Sequence, residues 1–224
     1  MSAAPAPLEA DPGADPMNAT PFGAAEFQAA VNASDAQMAD LEGFRTLLFD
    51  WNTRMNLVGP SAQAEFWDRH ALDSAQLLTH APDALSFADL GAGAGFPGIV
   101  LACLLKGREG AEVHLVESMA KRCRFLSEVV TALDLPAIVH NARAEDLALR
   151  VDVVTARACA PMVRLIGYAQ PYLKRGAVGL FLKGQDVEAE LAEAAISWSF
   201  ESRLTPSISH TRGRIVELKK VSRV

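Results

Sequence analysis

Four glycines in eight residues, Gly91, Gly93, Gly95 and Gly98, follow directly on the apolar run 86–90 and precede an apolar stretch of helix length. A strand that ends in such a loop and hands over to a helix constrains the chain strongly. Glycine permits positive φ and close approach of a ligand to the backbone, and the helix that follows opens with unpaired N–H groups. Four glycines exceed what a plain strand-to-helix turn needs. Pro97 stands at the first turn of that helix, where its fixed φ and missing donor do no harm. The loop belongs to a fold that places ligands at strand ends.

The rest of the chain has the matching texture. Short apolar runs at 86–90, 113–116, 137–140, 151–155 and 178–182 alternate with helix-like segments at 97–105, 120–133, 162–172 and 187–197. That alternation predicts an α/β fold with a mostly parallel sheet covered on both faces. Two further runs, 200–204 and 214–221, read as a strand hairpin on one edge. Ahead of the sheet, Leu41, Phe44, Leu47, Leu48 and Trp51 recur at helical spacing. Ser34-Asp35-Ala36-Gln37 has the form of a capping box, and Ser61 is placed to cap one more helix through Phe66, His70, Leu72 and Leu77. Residues 1–21 are rich in Ala and Pro, with too little large apolar surface to offset their ordering entropy, and read as a disordered tail. The expected organisation is a tail over 1–21, a helical extension over 22–82 and an α/β core over 83–224, with extension and core packed as one domain.

Charge and cysteine content narrow the function classes. Net charge is −6, but residues 1–43 hold seven acids and no Lys or Arg, which leaves the remainder at +1. From Arg203 to the end there are six bases and only Glu217 as an acid. A basic face able to meet nucleic acid is therefore compatible with an acidic whole. Three cysteines without CxxC spacing exclude a disulfide scaffold and a zinc ribbon, and fit a reducing cytoplasm. No apolar run is long enough for a membrane span and no signal-peptide pattern stands at the start, so a cytoplasmic chain without membrane contact is expected.

The glycine loop reads in two ways. Gly93-Ala94-Gly95-Phe96-Pro97-Gly98 matches the dinucleotide pattern G-x-G-x-x-G. Asp89 with Gly91, Gly93 and Gly95 matches D-x-G-x-G-x-G, the loop of enzymes that use S-adenosylmethionine. An acid placed before the loop suits a cationic methionine amine and repels a pyrophosphate, which favours the second reading. Glu117, at the end of the 113–116 run and 19 residues beyond Gly98, can accept from both hydroxyls of a ribose in either case. The adjacent acids Glu145 and Asp146 are rejected as a catalytic pair, because neighbours on one chain rarely face one site. Cys159 invites a nucleophile reading, but lacks a Pro-Cys setting and is treated as a small packing residue. Trp51, Trp67 and Trp198 are read as core rather than base-stacking.

From about residue 45 onward the chain resembles the ribosomal RNA small subunit methyltransferase G family, also called glucose-inhibited division protein B. The resemblance is carried by Trp51-Asn52, Asn56-Leu57, Arg69-His70-Ala71-Leu72-Asp73-Ser74, the segment Asp89 to Ile99, Glu117-Ser118 with Lys121-Arg122 and Arg124-Phe125-Leu126. It continues through Arg143-Ala144-Glu145, Ala156-Arg157-Ala158 and Leu182-Lys183-Gly184-Gln185. The order and spacing of these pieces are more specific than any one of them. The resemblance implies a class I S-adenosylmethionine-dependent methyltransferase fold, Rossmann-like and seven-stranded, and methyl transfer to N7 of a guanine in 16S ribosomal RNA. It implies cofactor contacts from Asp89, Gly91, Gly93, Gly95, Phe96, Glu117, Ser118, Ala144, Glu145 and Arg157, with Glu117 on the ribose and Ala144 and Glu145 by the adenine. It implies that Arg69, His70, Asp73, Arg157 and Lys183 face the reaction site or the RNA, within the small subunit or its precursor. No metal is expected, and a monomer is the default for such an enzyme. Two other classes fit less well. A nicotinamide oxidoreductase would need a hydride site, and none is recognisable. A non-catalytic ribosome-binding module would have no need of an intact glycine loop and Glu117.

Overall fold

The structure is a computed structural model and describes residues 22–224 apart from Ala148. The expected tail over 1–21 lies outside the described residues. Seven strands form one sheet: β1 (Ser86–Leu90), β2 (Glu112–Glu117), β3 (Ala137–Asn141), β4 (Val153–Arg157), β5 (Val178–Lys183), β6 (Trp198–Pro206) and β7 (Arg214–Arg223). Their spatial order is β3-β2-β1-β4-β5-β7-β6. The first five are parallel, whereas β7 runs antiparallel to both β5 and β6. The order reverses between β1 and β4, so the carboxyl ends of these two strands flank a topological switch point, where open α/β sheets bind ligands.

The central strands β1, β2, β4 and β5 are largely apolar because they are buried on both sides, whereas β3 and β6 at the edges are partly exposed. Phe87, Val113, Leu115, Leu180 and Leu182 point to one face; Ala88, Leu90, Val116, Val154, Phe181 and Val216 point to the other. Helix α5 (Gly98–Leu105) is buried along its whole length, which explains why it is apolar all round rather than amphipathic. Helices α6 (Ala120–Ala132), α7 (Met162–Leu173) and α8 (Val187–Ala194) complete the layers. Strand β4 starts two residues later than the pattern suggests. Asp152 is taken up in a turn, where its Oδ2 accepts from the Leu85 and Ser86 N–H groups at 3.0 and 2.9 Å.

The N-terminal extension contributes α1 (Ala24–Val31) and α2 (Asp35–Asn52). The capping box forms as read: Ser34 Oγ accepts from Gln37 N, and Gln37 Oε1 accepts from Ser34 N at 2.8 Å. The single helix expected from Ser61 onward does not. It is replaced by a 3₁₀ turn (Pro60–Gln63), a π-helical segment (Phe66–Leu72) and two short turns, α3 (Asp73–Ala75) and α4 (Leu77–His80). The physical reason lies in packing. Phe66 and Trp67 are both buried, on Phe44 and Phe96 and on Phe27 respectively, and the widened turn lets adjacent aromatics turn inward together. This aromatic cluster joins the extension to the glycine loop through Phe96. Trp198 and Trp67 are buried and Trp51 packs edge-on against Phe125, so none of the three is presented for stacking on a base.

Candidate active site

The glycine loop leaves β1 with Gly91 at φ +70° and Gly93 at φ +53°. Its path is fixed from β2, because Gly91 N and Ala92 N both donate to the Val116 carbonyl, at 2.8 and 3.1 Å. At Gly91 a Cβ would stand 2.9 Å from Cys159 Sγ, so the cradle tolerates no side chain there. Gly98 is held closer still: a Cβ would lie 2.3 Å from Leu115 Cδ2 and 2.8 Å from Asp89 Oδ2. Gly91 and Gly93 keep open surface, while Gly95 and the Phe96 side chain are buried. Of the loop residues expected to meet a cofactor, Gly91 and Gly93 are thus accessible and Gly95 and Phe96 are covered. Gly95 N donates to the Ala92 carbonyl and the Phe96 ring faces the aromatic cluster, so both support the loop from beneath.

Glu117 ends β2 directly opposite the loop. Its Oε2 accepts from Gly93 N at 3.1 Å and its Oε1 from Met119 N at 2.8 Å, with Arg122 at 3.7 Å. A carboxylate offers about four lone-pair positions, so a buried Glu117 with two amide donors retains acceptor capacity toward the opening. Ser118 is exposed beside it, and its carbonyl accepts from Asn141 Nδ2 at 3.0 Å. Past β3, Ala144 and Glu145 lie in a 3₁₀ turn that is anchored where Tyr172 Oη donates to the Ala144 carbonyl at 3.1 Å. Glu145 is exposed at the rim.

Asp89 departs from the expectation of an acid aimed at a ligand amine. It is fully buried, with Oδ2 accepting from Gly98 N at 2.9 Å and Oδ1 from Thr155 Oγ1 at 3.3 Å. It ties the strand to the start of α5. Burial is the main cause that lifts its pKa to about 7. The folded protein therefore holds the Asp89 proton over a pH range where the unfolded chain has released it, and Asp89 makes stability fall as pH rises from about 4 to 7. Asp89→Asn removes this slope. The variant is expected to gain stability relative to the parent by about 1.4 kcal/mol per pH unit across that window. Urea unfolding at pH 5 and pH 8 checks this; an unchanged difference at the two pH values contradicts a protonated Asp89.

The second part of the site lies on the other side of Phe96. The Arg157 guanidinium sits 4.7 Å above the Phe96 ring, and the His70 ring is 4.9 Å from it. Arg157 Nη1 donates to the Arg69 carbonyl at 3.2 Å and to His70 Nδ1 at 2.9 Å. Guanidinium nitrogens only donate, so Nδ1 of His70 must accept and the ring proton must be on Nε2. Burial first, then Arg157, pushes the His70 pKa down to about 4. His70 is therefore a neutral, fixed-tautomer donor at physiological pH. Arg157 does not pair with Asp152, which is engaged at the opposite end of the sheet.

Arg69, His70, Arg157 and Lys183 line a cleft of about 600 Å³ together with Asp73, Glu190, His210 and Arg212. Lys183 is not a free cation. Its Nζ lies 2.7 Å from Glu190 Oε2 and donates to the Ala160 carbonyl at 3.1 Å. Asp73 Oδ1 accepts from Gln76 Nε2, Ser207 Oγ and Ser209 Oγ at 2.8, 3.0 and 2.7 Å, which ties this carboxylate to the segment 207–209. Burial and the nearby acids Asp89 and Glu117 raise the pKa of the Cys159 thiol, which opposes a thiolate nucleophile. Among the described residues, no group of three or more His, Cys, Asp or Glu is placed to hold a metal.

The rRNA small subunit methyltransferase G family profile matches residues 37–218. The ribosomal RNA small subunit methyltransferase G of Caulobacter vibrioides strain NA1000 is 67% identical over 201 residues, covering 90% of this chain and 93% of that protein. The protein of the same name from Bradyrhizobium strain BTAi1 is 49% identical over 187 residues, covering 82% and 84%. The chain belongs to the ribosomal RNA small subunit methyltransferase G family. Solved structures at low identity share the fold. A SAM dependent methyltransferase from Aquifex aeolicus superposes with a TM-score of 0.54 at 15% identity, covering 79% of this chain and 98% of that one. MtNAS in complex with MTA and tNA gives 0.55 at 14% identity, covering 88% and 75%. The fold is thus the class I Rossmann-like methyltransferase fold. In this methyltransferase G chain, sequence reasoning missed Gln76, Glu190, Ser207, Ser209 and His210. None belongs to a motif. Glu190 could have been suspected only as an unpaired acid on the inner turn of α8, and the two serines only from their place in the polar loop between two strands.

Proposed function

We propose that this chain transfers the methyl group of S-adenosylmethionine to N7 of a guanine in small-subunit (16S) ribosomal RNA. The observation that carries the reading is the contact through Phe96: this residue of the glycine loop packs against Arg157 and His70, which line the polar cleft, so loop and cleft adjoin. The pocket fits the cofactor, because Gly91 has no room for a Cβ beside Cys159 and Glu117 keeps acceptor capacity next to the loop. Gly91, Gly93, Glu117 and Ser118 would hold it directly, Ala144 and Glu145 would border its base, and Asp89, Gly95 and Phe96 would support the loop. S-adenosylmethionine, when bound, supplies an electrophilic methyl group on a sulfonium.

Guanine N7 carries a lone pair and no proton, so its alkylation requires no general base. The residues agree with this. His70 is neutral, with its acceptor nitrogen occupied by Arg157. The work left to the protein is alignment and exclusion of water. Arg157 is fixed by Arg69, His70 and Phe96, and its remaining N–H groups suit the O6 edge of guanine, where Arg is the usual partner. A single bond to O6 leaves N7 free. Arg69, with Lys183 held in its ion pair, would position the sugar-phosphate backbone. The enzyme acts as a monomer in the cytoplasm, on RNA within the small subunit or its precursor; among the described residues no helix is long and apolar enough to cross a membrane.

Calorimetry with S-adenosylhomocysteine and with NAD tests the cofactor, and transfer of labelled methyl to small subunits lacking the modification tests the acceptor. Binding of the first ligand alone, with label in RNA, is the expected result. NAD binding, or label confined to protein, overturns the reading.

A further inference from the structure

The segment 207–213, between β6 and β7, forms one wall of the cleft through Ser209, His210, Arg212 and Gly213. It carries His210, Arg212 and the neighbouring Arg214, with no acid from Ser207 to Arg214. It is a built turn. Ser207 N donates to the Gly213 carbonyl at 3.0 Å, Gly213 N to the His210 carbonyl at 2.9 Å, and Arg214 Nη1 to the Thr211 and Gly213 carbonyls at 3.0 and 2.8 Å. A Cβ on Gly213 would lie 2.7 Å from that of Ser207, so the turn closes tightly on itself.

What orients this turn comes from the N-terminal extension, about 130 residues earlier in the chain. Asp73 Oδ1 accepts from both serine hydroxyls of the turn. Gln76, which is 2% exposed, clasps it from both ends of its amide: Nε2 donates to Ser207 Oγ at 2.9 Å, and Oε1 accepts from Ile208 N at 3.0 Å. Two residues one helical turn apart thus fix two consecutive stations of a basic turn. A charge-assisted, partly buried network of this kind rigidifies what it holds.

We infer that Asp73, Gln76, Ser207 and Ser209 form a latch that positions the 207–213 turn as an RNA-phosphate clamp, with Arg212 as the contacting cation. The inference rests on the proposed methyltransferase function and deepens it. Asp73 and Gln76 are then positioning residues that act through the turn and never touch the reacting atoms. Pre-ordering lowers the cost of fixing the clamp when RNA binds.

The test compares the parent with Ser207→Ala/Ser209→Ala, which removes two hydroxyl donors at partly exposed positions, and with Arg212→Gln. Steady-state methylation of small subunits, S-adenosylhomocysteine binding, thermal unfolding and amide exchange over 207–213 are measured. The serine pair is expected to speed exchange in the turn and raise KM for subunits roughly tenfold, with kcat within about twofold, because binding and not chemistry is loosened. Arg212→Gln raises KM similarly and lowers the salt slope of subunit binding by about one. Thr at both serine positions restores the parent KM. Faster exchange with an unchanged KM overturns the latch, as does an unchanged salt slope for Arg212→Gln. Failure of the parent to methylate subunits at all would instead strike the proposed function.

Discussion

Glu117→Ala is expected to weaken binding of S-adenosylhomocysteine by about a hundredfold to ten-thousandfold, the loss of two hydrogen bonds to a charged acceptor at about 1.5–3 kcal/mol each. Glu117 is buried, faces the loop from the end of β2, and gives only part of its acceptor capacity to Gly93 N and Met119 N. Truncation releases the loop amide at Gly93 and, on the proposed function, removes the ribose acceptor with it. Glu117→Asp keeps the charge but draws it back by one methylene, and is expected to retain binding at an intermediate level. The sheet does not depend on this side chain, so cooperative unfolding should persist. Titration calorimetry reads the first effect and thermal unfolding the second. Affinity within a few fold of the parent would remove Glu117 from the cofactor pocket.

Arg157→Met should act on the other pocket. The guanidinium stacks on Phe96 and donates to His70 and Arg69, and methionine reproduces its bulk but none of its donors. Loss of an alignment made to the acceptor base is expected to lower kcat/KM for subunits by about a hundredfold or more, while S-adenosylhomocysteine affinity changes by less than about tenfold. Arg157→Lys should not rescue, because a point ammonium can neither stack nor hold two fixed acceptors with the same geometry. A second readout belongs to the same residue. Arg157 is the second cause, after burial, of the low His70 pKa, so its removal lets the His70 pKa rise part of the way from about 4 toward 6.5. NMR titration of the ring follows this directly. Kinetics unchanged in Arg157→Met would contradict its role at the base.

The α/β core was legible because both of its signals are local. Strands buried on both faces must be apolar throughout, and a glycine-rich handover from strand to helix can be read residue by residue. The bounds of β1 and the start of α6 and α7 follow from that reading. The extension was less legible, since Phe66 and Trp67 turn inward together only through a π-helical turn, and no periodicity announces it. The site divided along the same line. Residues inside contiguous motifs, such as Glu117 and Arg157, could be named, but their orientation could not. Asp89 read as a ligand-facing acid because its position in the loop pattern is clear, whereas the donors that occupy it, Gly98 N and Thr155 Oγ1, come from the helix start and from a strand 66 residues away. Nothing near Asp73 in sequence announces the two serines from the far end of the chain that sit on its Oδ1. Long-range partners of a polar side chain leave no trace in its neighbourhood of sequence.

The central claim is a guanine-N7 transfer in small-subunit RNA, and the product nucleoside tests it most directly. Small subunits from cells that lack the modification are incubated with the protein and S-adenosylmethionine carrying a labelled methyl group, and the RNA is digested to nucleosides and separated. The account predicts label in 7-methylguanosine, in one nucleotide per subunit. Label in any other nucleoside, or none in RNA while S-adenosylhomocysteine still binds, would contradict it.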